Sequence, residues 1–105
     1  MSVEKIAQLL QQIREQMQAQ GLWDETPPSA EALQSKQPFA VDTLDFHQWL
    51  QFIMIPEFEH RIAQQMPLPH GFSISPMAEE AWRGKWAERR ELILLLREFD
   101  ALFAH

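Results

Sequence analysis

Residues 3–20 read VEKIAQLLQQIREQMQAQ. Val3, Ile6, Leu10, Ile13 and Met17 recur at steps of three and four, and Leu9 widens the stripe. That period lays one apolar face along an α-helix. Ser2 stands where its hydroxyl can accept an orphan backbone N–H. Gly21 stands at the C′ position, where glycine enters the left-handed region without steric cost. An apolar stripe of this kind needs other apolar faces to cover it.

The neighbouring segments supply them. Residues 22–42 form a connector, because Pro27 and Pro28 block helix and Pro38 biases Gln37 toward extended backbone. Ser29 before AEALQS allows one short helix there. Leu22, Trp23, Leu33 and Phe39 anchor the connector along the core. Residues 43–65 predict a second long helix, capped by Asp42 or Thr43 and favoured by Asp45 near the dipole. Its apolar face is Phe46, Trp49, Leu50 and Ile53. Pro56 should kink this helix or break it, since it lacks an N–H and clashes with the carbonyl four residues earlier. Phe58 and Ile62 resume the pattern in a shifted phase. Residues 66–75, MPLPHGFSIS, are a loop. Ser75-Pro76 signals a short helix through about Trp82, with Ser75 as its cap. Gly84 separates that helix from a last one over about 86–103. Leu92, Leu95, Leu96, Phe99, Leu102 and Phe103 hold one face of it, and Ile93 and Leu94 lie off that face. The last helix is therefore central or at an interface. No segment alternates as a strand does. The expectation is a single all-α domain over 1–105, a bundle of three long helices and one or two short ones.

Charge narrows the choice of partner. The 105 residues carry nine Lys+Arg against fifteen Asp+Glu, a net −6. Residues 1–60 hold nine acids and three bases, the whole excess, and residues 61–105 hold six of each. An acidic half repels phosphate backbones, so the broad basic footprint of a nucleic-acid binder is missing. Arg83, Lys85, Arg89, Arg90 and Arg97 against Glu88 and Glu91 make a local +3. There are no cysteines, which removes disulfides, thiolate metal sites and cysteine nucleophiles. The N-terminus lacks the apolar core of a signal peptide, and the longest apolar runs are far below the roughly 18 residues of a membrane span. The expected place is the cytoplasm, with no membrane contact.

Catalytic constellations are hard to find. Glu57 and His60 form one Glu-x-x-His pair, where bundle di-metal sites use two such pairs and two further glutamates. No serine sits in a G-x-S-x-G elbow. Gly21, Gly71 and Gly84 are too far apart to cradle a phosphate. No catalytic residue, metal ligand or cofactor site is therefore assigned. Trp82 and Trp86, spaced i,i+4 beside Arg83 and Lys85, are the one place where aromatic and basic residues interleave.

Residues 37–56, QPFAVDTLDFHQWLQFIMIP, together with 67–81, PLPHGFSISPMAEEA, and the leucine-rich C-terminal helix, resemble the YqcC-like family of small bacterial proteins. The matching pieces are Gln37-Pro38-Phe39, Asp42-Thr43, Trp49-Leu50-Gln51, Ile55-Pro56 and Pro67-Leu68-Pro69. The resemblance implies a helical bundle and no established activity. Its members are often named in association with tRNA pseudouridine synthase C. Such synthases use an aspartate within a larger domain of sheet and helix, which this chain does not predict, so no catalytic residue carries over.

The main expectation is a non-catalytic interaction or accessory protein. Trp49, Gln51, Trp86, Arg89 and Arg90 are its candidate contact residues. Gln51 stands out because a polar side chain beside the apolar face has no evident fold role. Two alternatives compete. One is a small-molecule groove near Trp49 and Pro56, holding about 300 Å³ or more with a few inward polar groups. The other is weak tRNA contact through residues 83–97. Off-face Ile93 and Leu94 also allow a weak homodimer.

Overall fold

The apolar stripe of the first helix decides how the chain closes. In the computed structural model, which describes residues 3–104, α1 spans Val3–Ala19 and buries Ile6, Leu9, Leu10, Ile13 and Met17. The cap expected of Ser2 lies outside the described residues. At the other end Gly21 takes φ 73°. Its N–H reaches the Gln18 carbonyl at 3.2 Å, and the Leu22 N–H reaches the Met17 carbonyl at 2.8 Å. That pair of bonds is a Schellman motif. The α1 stripe packs along the C-terminal helix, α6, at Trp86–Leu102.

The connector contains one turn of helix, α2 at Ala30–Leu33, where the Ser29 hydroxyl accepts from the Ala32 N–H at 3.1 Å. A 3-10 turn follows at Pro38–Ala40, with Phe39 at φ 57° and Ala40 at φ 51°. Two successive non-glycine residues in the left-handed region store strain, of order 1–2 kcal/mol each.

The second long helix starts later than the sequence indicated. Asp45, not Asp42 or Thr43, is its cap, in a capping box with Gln48. The Gln48 Oε1 accepts from the Asp45 N–H at 2.9 Å. Asp42 instead accepts from the Ser35 hydroxyl, and Thr43 donates to the Ala32 carbonyl at 2.7 Å. The helix runs as α3 at Phe46–Trp49, a π-helical stretch at Leu50–Met54, and α4 at Ile55–Ala63. Pro56 therefore does not end it. The Ile55 N–H bonds the Leu50 carbonyl, five residues back. The wider turn displaces the carbonyl that an α-helical proline would strike. It also rotates the following residues. Met54 and Ile55 are buried, whereas Ile53, placed on the apolar face by simple periodicity, is only half-buried. The phase shift before Phe58 has the same cause.

The next helix, α5 at Ser75–Ala81, holds a second correction. Ser75 is its first residue rather than its cap. The cap comes from α6: the Asp100 carboxylate accepts the Ile74 N–H at 2.7 Å and the Ser75 N–H at 2.8 Å. Asp100 is 8 % exposed. One carboxylate thus satisfies two orphan donors that a serine hydroxyl would satisfy one at a time.

In α6 the wide apolar arc is explained by two neighbours, α1 and α5. Leu92, Leu96, Phe99 and Phe103 are buried, and so is Ile93, which belongs to the core. Leu94 alone of the off-face pair turns outward, 40 % exposed. No strand occurs among the described residues. The result is the all-α bundle expected, and none of its described helices is long and apolar enough to cross a membrane.

Candidate functional site

Three concave surfaces flank the aromatic residues of the bundle. The largest is a cavity of about 530 Å³ between the start of α3, the end of α5 and the start of α6. Its walls are Leu22, Phe39, Leu44, Phe46, Met77 and Trp82, and its charged residues are Asp45, Glu80, Arg83, Lys85 and Arg89, with His47 beside them. Trp82 stands edge-on to Phe46, with centroids 5.2 Å apart. Charge at the rim is unevenly spent. Asp45 caps α3, Glu80 pairs with Arg83, and His47 approaches Asp24 at 3.4 Å. Arg89 has one neutral partner, the Gln20 amide oxygen, at a long 3.4 Å. The Arg89 Nε is buried and reaches no acceptor among the described residues.

The second surface is a groove of about 400 Å³ along the outer side of α6 and α5, lined by Glu79, Trp86, Arg90, Ile93, Leu94 and Arg97. Trp86 is 54 % exposed, yet its indole N–H donates to the Glu79 carbonyl at 2.8 Å. The ring is thus both available and fixed. Arg97 pairs with Glu79.

The third is an apolar groove of about 290 Å³ beside Trp49, lined by Ile53, Met54, Phe58, Phe72 and Ile74 among others. Glu57 and Ser73 are its only polar residues, and Pro56 does not line it. The Phe39 ring borders both this groove and the largest cavity, 4.7 Å from Trp49.

The fold therefore scatters the residues singled out by sequence. Trp86 and Arg90 share the α6 groove, and Arg89 faces the cavity on another side of the helix. Trp49 lines the apolar groove. Gln51 is 6 % exposed and its polar contact is internal. Its Oε1 accepts the Asp24 N–H and its amide N–H donates to the Asp24 carbonyl, each at 2.8 Å. Gln51 thereby clips the connector onto the π-helical stretch. Glu57 pairs with Arg61 at 2.7 Å rather than with His60.

A family model described as tRNA pseudouridine synthase C matches residues 5–102, nearly the whole chain. The chain belongs to this family, DUF446. An uncharacterized Haemophilus influenzae protein is 39 % identical over 95 residues, 90 % of this chain and 86 % of that protein. The uncharacterized protein YqcC of Escherichia coli is 33 % identical over 82 residues, 78 % of this chain and 75 % of that protein. The solution NMR structure of E. coli YqcC matches with a TM-score of 0.86 and 28 % identity, covering 99 % of this chain and 90 % of that one. A Pectobacterium carotovorum protein named tRNA pseudouridine synthase C is 26 % identical over 81 residues, which are 77 % of this chain but 22 % of that protein. Sequence reasoning missed the largest cavity. Its lining comes from the connector, the 3-10 turn, the start of α3, α5 and α6, and the sequence signal for it was Arg89, one of the candidate contact residues.

Proposed function

We propose that this protein is a non-catalytic helical accessory module that docks onto a tRNA pseudouridine synthase of the C type. One observation carries the reading. In the Pectobacterium relative bearing that name, the stretch similar to this chain is 22 % of the polypeptide, so most of that protein lies outside the match. A module that is a minor part of a long protein in Pectobacterium and most of a short protein in E. coli and H. influenzae is suited to working beside the larger one. The α6 groove is the docking face we assign. Its fixed, exposed Trp86 beside Leu94 has the character of an interface hot spot, a rigid aromatic anchor needing little ordering on binding. Arg90 gives the face a cation and so favours an acidic, apolar segment on the synthase.

The test is sedimentation of the purified chain with the purified synthase from the same cell, with and without ribonuclease. The expected result is a ribonuclease-resistant complex, weakened at least tenfold by Trp86→Ala with Leu94→Glu. Two species that sediment independently at tens of micromolar overturn the proposal. So does a complex that ribonuclease dissolves, which would favour contact through tRNA.

A further inference from the structure

The largest cavity is separate from the α6 groove and shares no lining residue with it. Arg89 presents a buried guanidinium Nε with no acceptor, and a single long bond from its Nη1 to a neutral amide. A buried donor left unpaired loses its hydration with nothing in return, and the loss is greater when the group is charged. Arg14 makes the comparison sharp. Its Nε also lacks a partner, but its charge is met by Glu59, bonded twice at 2.8 Å, and by the Trp23 ring at 5.5 Å. Arg89 has no such carboxylate. Lys85, on the same cavity, also pairs with no carboxylate in the described structure. The two carboxylates on the rim, Asp45 and Glu80, are occupied by the α3 cap and by Arg83.

Two unspent cations therefore stand at a cavity of about 530 Å³ whose walls include Leu22, Phe46, Met77 and Trp82. That volume lies within the range of small-molecule sites, about 300–1,000 Å³, which combine apolar walls with polar groups that fix the ligand. We infer that this cavity binds a small organic anion, with its carboxylate or phosphate on Arg89 and Lys85 and its apolar body against Phe46 and Trp82. A guanidinium suits either anion, because its planar donors match both. The rim carboxylates oppose a long polyanion, so a compact ligand is favoured over a nucleic-acid strand.

The probe is 8-anilinonaphthalene-1-sulfonate, titrated by fluorescence into the folded chain. Its uncharged counterpart, N-phenyl-1-naphthylamine, has the same aromatic body without the anion. The expected result is one saturable site that binds the sulfonate at least tenfold more tightly than the amine. Arg89→Met and Lys85→Met should each remove most of that preference while leaving amine binding in place. Displacement of the dye by 1-naphthylacetate identifies a carboxylate site, and displacement by adenosine monophosphate a phosphate site. Resistance to both overturns the inference, as does equal binding of the two dyes or unchanged sulfonate binding in Arg89→Met. A melting measurement separates binding from folding. Removing a half-buried cation whose Nε has no acceptor should leave the melting temperature of ligand-free Arg89→Met unchanged or raised. A fall of several degrees would make Arg89 a structural residue and overturn the inference.

Discussion

Each end of α6 carries a cluster of four aromatic rings, and the two clusters do opposite things. At the C-terminal end Phe58, Phe72, Phe99 and Phe103 pack with centroids 4.9–6.2 Å apart. The loop above them is tied down by the Gly71 N–H on the Phe103 carbonyl at 2.7 Å and by Asp100 on Ile74 and Ser75. Near the N-terminal end Phe39, Phe46, Trp49 and Trp82 have similar spacings, 4.7–6.3 Å. There Phe39, Phe46 and Trp82 line the largest cavity, the rim is charged, and Phe39 is held in a left-handed conformation; the apolar groove runs between the two clusters, from Phe39 and Trp49 to Phe58 and Phe72. Aromatic content alone does not make a core. What separates the ends is whether a tied-down loop covers the rings or leaves them facing open space.

The strongest test of that contrast is a pair of truncations. Phe99→Ala removes a fully buried ring and should cost about 3–5 kcal/mol, which is much of the stability of an ordinary domain. Phe46→Ala borders existing empty space, so its surroundings can relax, and it should cost about 1 kcal/mol less. Urea unfolding of both variants measures the difference. Equal losses would break the comparison.

Asp100→Ala comes next. It leaves the Ile74 and Ser75 N–H groups without acceptors at a buried helix start, and the expected loss is about 2–3 kcal/mol. Hydrogen exchange should locate the damage in residues 71–78, while the cavity end keeps its protection. Loss spread evenly over the chain would mean that the two ends unfold as one unit.

The same residues show what could be read before the structure. The α1 stripe, the Gly21 terminus, the Ser29 cap and the extent of α6 were legible because each depends on contacts within one or two turns. Asp100 and Gln51 were not. Each satisfies backbone groups more than twenty residues away in sequence, and no local pattern encodes that pairing. The π-helical stretch was half legible: Pro56 marked a disturbance, but periodicity could not distinguish a kink from a wider turn. Candidate site residues fared similarly. Trp86 beside basic residues is a local pattern visible in the sequence, whereas the cavity at Arg89 needs the fold to assemble it.

Gln51→Leu probes the open end in the way Asp100→Ala probes the closed one. The apolar side chain fits the volume but abandons the Asp24 N–H and carbonyl, for an expected cost of about 1–2 kcal/mol. The connector should then detach from the π-helical stretch and Leu22 should withdraw from the cavity. Dye binding at the cavity should weaken together with stability. If stability falls while dye affinity is unchanged, the connector does not shape the open end.

The smallest effect concerns strain, which both ends carry. Gln65, where α4 gives way to the loop over the closed cluster, has φ 55° and closes that helix with the Met66 N–H on the Arg61 carbonyl at 2.8 Å. Its side chain is exposed, so Gln65→Gly relieves the left-handed penalty and loses no buried contact. The expected gain is about 0.5 kcal/mol. Ala40→Gly relieves the same penalty at φ 51° near the open cluster, but it also removes a buried methyl group. That loss, about 0.8 kcal/mol, offsets the relief. Thermal melts should therefore show Gln65→Gly above the parent and Ala40→Gly level with it. A clear gain from Ala40→Gly would mean that the 3-10 turn, rather than the burial around it, limits stability at the open end.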